Sequence, residues 1–258
     1  MTAHLPAQPP LPAAIDLNAD LGESFGAYQI GADEALLPLI TSANIACGWH
    51  AGDPLVMART VRLAKQAGAA VGAHPGYPDL QGFGRREMAL TPEEARAFVL
   101  VQIGALAAVA RAEGVDLTHV KPHGALYNQA ARDPALAEAV AGAVRAFSRA
   151  LILVGLAGSA LITAGVAAGL RVAQEGFPDR AYNPDGTLRS RRLPGAVLET
   201  PEAVAAQAVE LAQAGLNAAG RRVPVDTLCL HGDHPAAVAN ARAVRAALAE
   251  RAIRVCRL

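Results

Sequence analysis

A proline that directly follows a side-chain hydrogen-bond acceptor recurs along this chain and marks repeating units. The pair occurs as Asp53-Pro54, Thr91-Pro92, Asp133-Pro134 and Thr200-Pro201. In each pair the first residue can cap a helix, and proline suits the first helical position because its missing N–H leaves no donor unpaired. The first three pairs are about 40 residues apart, the length of one strand–helix unit in an α/β protein. This spacing predicts a fold of repeated β/α units.

Short apolar runs between these helices predict about seven strands. They lie near residues 14–18, 40–46, 69–73, 118–121, 151–154, 170–175 and 225–231, and a last short strand is predicted at 253–256. No linker rich in Pro, Gly or Ser divides the chain, so we predict a single-domain (β/α) barrel of parallel strands over residues 14–258. An open doubly wound sheet is the alternative, because strand order is not visible in a sequence.

The composition of the chain argues against several classes of function. Lys+Arg and Asp+Glu both total 23, so a net charge of zero gives no overall attraction to nucleic acid or to an anionic membrane. The apolar stretches, such as residues 151–156, are expected to be too short to span a bilayer. Three cysteines without paired spacing argue against a disulfide framework and predict a cytoplasmic protein. Residues 1–13 contain four prolines and are predicted to be a disordered lead-in.

Residues that can do chemistry follow directly after most of the predicted strands. In a parallel β/α fold all strands end on one face, so these side chains are expected to meet in a single mouth. The predicted catalytic groups are Asp20, His74, Lys121, His123, Glu175 and Asp233. Lys121 and His123 share one turn, where a lysine can stabilise an oxyanion and a histidine can transfer a proton. His119, inside the preceding strand, is interpreted as structural.

Substrate contacts are predicted around the same mouth. The candidates are Asn18, His50, Arg180, Gly158, Ser159 and His231. Arg180 opens an arginine-rich stretch that we expect to be a mobile loop able to close over an anionic substrate. Gly158 and Ser159 precede a predicted helix whose N-terminal amides can hold a carboxylate. The chain contains no Gly-x4-Gly-Lys-Ser/Thr sequence of the kind that binds nucleotide phosphates.

The loop from Cys47 to Asp53 leaves several interpretations of His50 open. His50 can be a general base, a metal ligand or a hydrogen-bond donor at a helix start, and Cys47 is interpreted as a buried, inert thiol rather than a nucleophile. Asp20, His50 and His74 come from three successive strand ends. They are acceptable ligands for a divalent ion with an open water site, and are the candidate metal ligands of the sequence.

Several longer motifs resemble the LamB/YcsF family. They are residues 16–23 (DLNADLGE), 42–53 (SANIACGWHAGD), 72–75 (GAHP), 120–128 (VKPHGALYN) and 230–233 (LHGD). The likeness extends from about residue 14 to the C-terminus. The resemblance implies a seven-stranded barrel of the glycoside hydrolase/deacetylase type, which agrees with the strand count above.

The resemblance also implies an activity. Members of the family are similar to the A subunit of an ATP-dependent 5-oxoprolinase, which opens the lactam 5-oxo-L-proline to L-glutamate. It therefore implies ATP as co-substrate, with Mg as the divalent ion that accompanies it, and subunits B and C as partners. Two alternatives stay open: a metal-assisted amide hydrolase related to deacetylases, and a non-catalytic subunit that captures substrate for its partners.

Overall fold

Seven parallel strands close into a barrel in the computed structural model, which describes residues 14–191, 193–232 and 236–258. The strands in chain order are β1 (Ala14–Leu21), β2 (Ser42–Ala46), β3 (Ala70–His74), β4 (His119–Val120), β5 (Ile152–Leu156), β6 (Arg171–Gly176), β7 (Leu216–Ala218), β8 (Arg221–Val223), β9 (Thr227–Leu230) and β10 (Arg254–Val255). The ring runs β1-β2-β3-β4-β5-β6-β9 and returns to β1. The predicted lead-in, residues 1–13, lies outside the described residues.

Closure is set by β1, which pairs with a strand on each side. Asn18 lies opposite Ser42 of β2, and Asp16 lies opposite Thr227 of β9, both in parallel register. The barrel prediction is therefore confirmed and the open sheet is excluded. β10, predicted as the last short strand, pairs with the first residues of β1 outside the ring, and β7 and β8 form a separate antiparallel hairpin.

The helices surround the barrel, and four of them begin at the prolines that the sequence predicted as helix starts, Pro54, Pro92, Pro134 and Pro201. They are α1 (Asp33–Leu36), α2 (Pro54–Ala67), α3 (Pro92–Ala112), α4 (Gly124–Ala130), α5 (Pro134–Phe147), α6 (Ala160–Ala167), α7 (Pro201–Ala214) and α8 (Ala237–Glu250), with a 3-10 turn at Leu37–Leu39. Asp53 Oδ1 accepts hydrogen bonds from the first amides of α2, and Thr91 with Glu94 forms a complete capping box for α3.

Helix α3 corrects the expectation that every apolar segment is too short to span a bilayer. Its 21 residues are long and apolar enough that, by length and composition alone, the helix could cross a membrane. Its buried side, which includes Val99, Ile103 and Leu106, packs within the protein. One such helix is weak evidence for a span, because helices packed in a protein core satisfy the same criterion.

Strand β1 turns its polar residues into the barrel and its apolar residues outward. Ile15 and Leu17 join the apolar core, while Asp16, Asn18 and Asp20 alternate with them and are at most 9 % exposed. Asp16 lies lowest in this series and is held by hydroxyl groups: Ser42 Oγ donates to its Oδ1 at 2.6 Å and Thr227 Oγ1 to its Oδ2 at 2.5 Å. The barrel interior is thus a polar column that leads up to the strand ends.

Candidate functional site

A cavity of about 1150 Å³ lies at the carboxyl ends of the barrel strands. Six of the side chains predicted from the sequence line it: Asp20, His74, Lys121, His123, Arg180 and His231. They come from the ends of β1, β3, β4, β6 and β9 and from the loops that follow, as expected for a parallel barrel. The structure therefore brings half of the twelve predicted site residues together in one cavity.

Lys121 is the centre of one cluster within this cavity. Its Nζ atom lies 2.8 Å from Asp20 Oδ1, 3.0 Å from Glu175 Oε1 and 2.9 Å from Cys229 Sγ. Asn18 joins the cluster by donating from Nδ2 to Glu175 Oε1 at 3.0 Å. One ammonium group is thus shared between two buried carboxylates. Each of the three charges is stabilised by the others, so the loss of one leaves a buried charge without compensation.

The charges of this cluster fix its protonation states. Burial alone would lower the pKa of Lys121, but Asp20, Cys229 and Glu175 raise it well above its usual value. Burial would likewise raise the pKa of Asp20, but His74 and Lys121 hold it well below its usual range. Asp20 is therefore an ionised carboxylate and Lys121 a charged ammonium at neutral pH.

A second cluster contains three histidines and a glutamate. His74, His123 and His50 lie with Glu23 so that one nitrogen or oxygen of each is within 4.8 Å of the others. His74 Nε2 is 3.0 Å from His123 Nδ1, and Glu23 Oε1 is 3.4 Å from both His123 Nδ1 and His50 Nε2. The rings of His50 and His123 stack with centroids 3.8 Å apart. Asp20 Oδ2, 3.3 Å from His74 Nε2, connects this cluster to Lys121.

Hydrogen bonds to backbone carbonyls fix the tautomers of two of these histidines. His74 Nδ1 lies 2.7 Å from the carbonyl of Lys121, and His123 Nε2 lies 2.9 Å from the carbonyl of Phe83. A carbonyl only accepts, so these nitrogens carry the protons. In the neutral rings the two nitrogens that face each other at 3.0 Å then both carry lone pairs. Two lone pairs beside the Glu23 and Asp20 carboxylates require a proton or a cation between them.

The second cluster offers four ligand groups that could hold a divalent metal ion. Burial and the neighbouring histidines lower the pKa values of His50 and His123 well below the usual range, so their rings are neutral. His50 is fully buried, and neither of its ring nitrogens has a hydrogen-bond partner among the described residues. Ligand atoms bound at 2.0–2.1 Å in a tetrahedron lie about 3.3–3.4 Å apart; three separations in the cluster are 3.0–3.4 Å, and all lie within 4.8 Å. Glu23, His50, His74 and His123 are the residues that would hold such an ion.

The segment of residues 79–86, which we call the roof segment, covers this cluster. Arg86 Nε contacts both carboxylate oxygens of Asp79 at 3.0 Å, and this pair ties the segment into a compact turn. A Cβ atom on Gly84 would lie only 2.8 Å from His50 Cβ and 2.9 Å from His123 Cδ2. Gly84 has a φ of +61°, so both its conformation and its close approach to the histidines require glycine.

The wall of the cavity opposite the histidine cluster is formed by the loop after β6 and the end of β9. His231 Nδ1 lies 2.7 Å from Asp179 Oδ2, and the Phe177 ring stacks on His231 with centroids 5.6 Å apart. Burial would raise the pKa of Asp179, but His231 lowers it below the usual value. The pair is therefore a carboxylate–imidazole couple whose imidazole lines the cavity.

Arg180 lies beside this couple and is only 5 % exposed. Its guanidinium donates to two backbone carbonyls, those of Ala196 at 3.2 Å and Arg189 at 2.6 Å. Among the carboxylates of the described residues, none forms an ion pair with it. Burial, aided by Arg191, lowers the pKa of Arg180 to about 10. A buried arginine with unused charge on a cavity wall is suited to binding an anion.

Three of the predicted residues lie behind the cavity wall rather than on it. Asn18, His50 and Glu175 are fully or almost fully buried and are absent from the lining. Glu175 and Asn18 therefore act on the site through Lys121, and His50 is placed to serve as a ligand or a packing group rather than as a substrate contact. Asp233, a predicted catalytic group, lies outside the described residues.

The predicted carboxylate cradle at Gly158 and Ser159 is wrong. The Gly158 amide donates to Gln174 Oε1 at 3.0 Å, and Ser159 Oγ accepts from the Ile162 amide at 3.4 Å as the cap of α6. Neither residue lines the large cavity. The hydrogen-bonding groups that were expected to hold a substrate are used within the protein.

Cys47 is confirmed as an inert thiol. It is 2 % exposed, and burial raises its pKa to about 12, so the thiolate required of a nucleophile does not form at neutral pH. Glu23, Asp179 and Cys229 belong to the site but were given no role from the sequence, and the same holds for Tyr127, which lines the cavity. Glu23 ends the first long motif, and Tyr127 lies within the fourth, so position in a motif was the signal that could have found them.

Comparison with known proteins agrees with this architecture. The model of the LamB/YcsF family matches residues 15–258. The chain belongs to the LamB/YcsF family. It is 62 % identical over 248 residues, 95 % of each chain, to a protein of Methylococcus capsulatus that is named as the A subunit of 5-oxoprolinase.

Solved structures extend the comparison of this LamB/YcsF member. A lactam utilization protein from Thermus thermophilus matches with a TM-score of 0.87 and 50 % identity, covering 95 % of this chain and 100 % of the other. The catalytic domain of a peptidoglycan N-acetylglucosamine deacetylase from Eubacterium rectale matches with a TM-score of 0.52 at 11 % identity, covering 100 % and 92 %. The second likeness concerns the fold alone and confirms the predicted deacetylase-like barrel.

Proposed function

We propose that this chain is the A subunit of an ATP-dependent 5-oxoprolinase that opens the lactam 5-oxo-L-proline to L-glutamate. The observation that carries the proposal is the meeting of Asp20, His74, Lys121 and His123 in one cavity of a chain 62 % identical to a protein of that name. The partners we propose are subunits B and C, with ATP as co-substrate of the assembly and the cytoplasm as its location.

The chemistry of the cavity is suited to opening a lactam. A lactam carbonyl is a poor electrophile, and phosphorylation of its oxygen by ATP makes the carbon more reactive towards water. The His74–Asp20 pair, with Nε2 and Oδ2 3.3 Å apart, accepts the proton of the attacking water, because Asp20 stabilises the imidazolium that forms. Lys121 supplies positive charge where the oxygen becomes negative.

Arg180 supplies the contact that orients the substrate. A 5-oxoproline molecule carries one carboxylate on the ring carbon next to nitrogen, and the buried guanidinium of Arg180 offers its charge to such a group from the opposite wall. Substrate held there presents its ring carbonyl to the pair formed by His74 and Asp20. This division of roles uses the two walls of the cavity for binding and for proton transfer respectively.

The first test is reconstitution. Glutamate release from 5-oxoproline is measured with the purified chain alone and with its two proposed partners, each with and without ATP. We expect ATP-dependent release only from the complete assembly. Release that needs neither ATP nor the partners would favour a self-sufficient amide hydrolase, and no release under any condition would contradict the proposal.

Metal-assisted amide hydrolysis is a second candidate, favoured by one specific observation: the lone pairs of His74 and His123 that face each other at 3.0 Å beside Glu23. A divalent ion held by Glu23, His50, His74 and His123 would supply Lewis acidity to the cavity. In that case the three rings orient the site, and Asp20 keeps its role as proton acceptor.

Metal analysis separates the two chemistries. For protein purified without a histidine tag, the second candidate predicts one divalent ion per chain, and His50→Gln is expected to lower the content at least about tenfold because a ligand from a closed site is lost. His119→Gln is the matched control, since His119 is equally buried but hydrogen-bonded to Asn44 away from the cluster. Far less than stoichiometric metal in the unaltered protein would exclude a resident ion.

A further inference from the structure

We propose that the Asp179–His231 couple decides which bond breaks after water has added to the activated lactam, and so couples ATP use to ring opening. The inference rests on the proposed function. It assigns Asp179, which no sequence motif indicated, as a positioning residue, and His231 as the proton donor to the ring nitrogen. His231 lines the same cavity as His74, and β9, which leads to His231, lies across the barrel ring from β3, which carries His74.

The adduct formed by water has two groups that can leave. Its former carbonyl carbon bears a hydroxyl, the phosphorylated oxygen and the ring nitrogen. If phosphate leaves, the lactam re-forms and one ATP has been spent with no product. If the C–N bond breaks, the ring opens to an acyl phosphate, which a second water hydrolyses to glutamate and phosphate. Phosphate is the better leaving group unless the nitrogen is protonated first.

Protonation of the nitrogen reverses this preference. His231 gives its Nε2 proton to the ring nitrogen, and the electron pair of the C–N bond then stays on nitrogen as a neutral amine departs. The His74–Asp20 pair first releases the proton of the attacking water to solvent, and then takes the proton of the hydroxyl on the same carbon as the carbonyl re-forms. His231 regains a proton from solvent. His231 and the His74–Asp20 pair therefore each move one proton, and both are needed for one ring opening.

Asp179 makes His231 competent for this step. Because Asp179 Oδ2 lies 2.7 Å from Nδ1, the carboxylate fixes that nitrogen as the one bonded within the protein and leaves Nε2 for the cavity. Asp179 is 3 % exposed, and its negative charge stabilises the imidazolium that must form before each proton transfer. Phe177, stacked on the imidazole, holds the plane of the ring.

The nitrogen of the substrate falls within reach of this couple in the proposed binding mode. Arg180 follows Asp179 directly in the chain, and the substrate carboxylate is attached to the carbon next to the ring nitrogen. A carboxylate bound at Arg180 therefore brings the nitrogen, rather than the distal ring carbons, towards the wall that carries His231. The carbonyl carbon, on the other side of the nitrogen, is directed towards Asp20 and His74.

The test measures glutamate and inorganic phosphate in the same reaction of the complete three-subunit assembly. The variants are Asp179→Asn, which alters the hydrogen bond that sets the tautomer, and His231→Gln, which removes the donor. We expect glutamate formation to fall about 100-fold while lactam-dependent phosphate release continues, so that the ratio of phosphate to glutamate rises at least about tenfold. The unaltered assembly is expected to release equal amounts.

Asp133→Asn is the matched control, because asparagine retains the capping oxygen that Asp133 supplies to α5, and Asp133 does not line the cavity. It is expected to leave both rates and the ratio unchanged. A parallel fall of glutamate and phosphate with an unchanged ratio, in variants with unaltered melting temperatures, would overturn the inference, and so would unchanged rates. If the unaltered assembly makes no glutamate, it is the proposed function that fails.

Discussion

Replacing Asp20 by asparagine is expected to lower 5-oxoproline turnover by the complete assembly about 10³-fold. Asp20 is the group that joins the two clusters, with Oδ1 2.8 Å from Lys121 Nζ and Oδ2 3.3 Å from His74 Nε2. Asparagine has nearly the same shape but no charge, so the imidazolium formed at His74 loses its stabilising partner. The measurement is kcat and KM for lactam-dependent glutamate release, with circular dichroism as the check on folding.

Asp33→Asn provides a matched change next to the same strand end. Asp33 accepts a hydrogen bond from the Gly22 amide at 2.8 Å, does not line the cavity and can be replaced by an asparagine oxygen. We expect the Asp33→Asn variant to turn over 5-oxoproline within about twofold of the rate of the unaltered protein, since no charge is lost from the cavity. If Asp20→Asn instead raises KM with kcat intact, the subunit that only captures substrate becomes the better description.

The largest expected effect on stability is that of Lys121→Met. Removing the ammonium leaves Asp20 and Glu175 as two buried carboxylates without their shared counter-charge, a loss of about 3–5 kcal/mol in the free energy of unfolding at neutral pH. One of the two carboxyl groups is expected to take up a proton instead. The loss in the free energy of unfolding therefore becomes smaller as the pH falls from about 8 to 5, because protonation of one carboxyl group relieves the repulsion between Asp20 and Glu175.

Two further variants test this explanation by denaturant unfolding. Adding Glu175→Gln to Lys121→Met removes one of the stranded charges, so the double variant is expected to lose less than the sum of the single changes. Arg59→Met breaks an ion pair with Glu34 in which both side chains are about two-thirds exposed, and is expected to cost no more than about 1 kcal/mol. Equal losses for Lys121→Met and Arg59→Met would refute the buried-charge account.

The frame of the barrel could be predicted from the sequence because the relevant signals are local. Two helix starts are predicted by segments of four residues or fewer, Asp53-Pro54 and Thr91-Pro92 with Glu94. Both caps are present as predicted. The alternation of Ile15 and Leu17 with polar neighbours likewise indicates which face of β1 points into the barrel, although both faces are buried. Parallel topology then places every strand end on one side, which is why Asp20 and His74 meet.

Such local signals do not predict contacts between loops that are distant in the sequence. Asp179 pairs with His231 across 52 residues, and Glu23 approaches His50 and His123 because two loops of different length pack together. Gly158 was misjudged for the same reason. A glycine before a helix predicts backbone amides that are free to bind a ligand. The Gly158 amide instead donates to the side chain of Gln174 on a neighbouring strand, a contact that the local sequence does not show.

The roof segment has a consequence for exchange kinetics. The Phe83 carbonyl accepts a hydrogen bond from His123, and the Phe83 ring lies against His50 and His123, so the pocket beneath is closed on that side. On that side a cation seated there would leave only if residues 79–86 swung outward, whereas Glu23, His74 and His123 also line the large cavity. Loss of the ion and access of a chelator would therefore take place through the cavity, without opening of the roof segment.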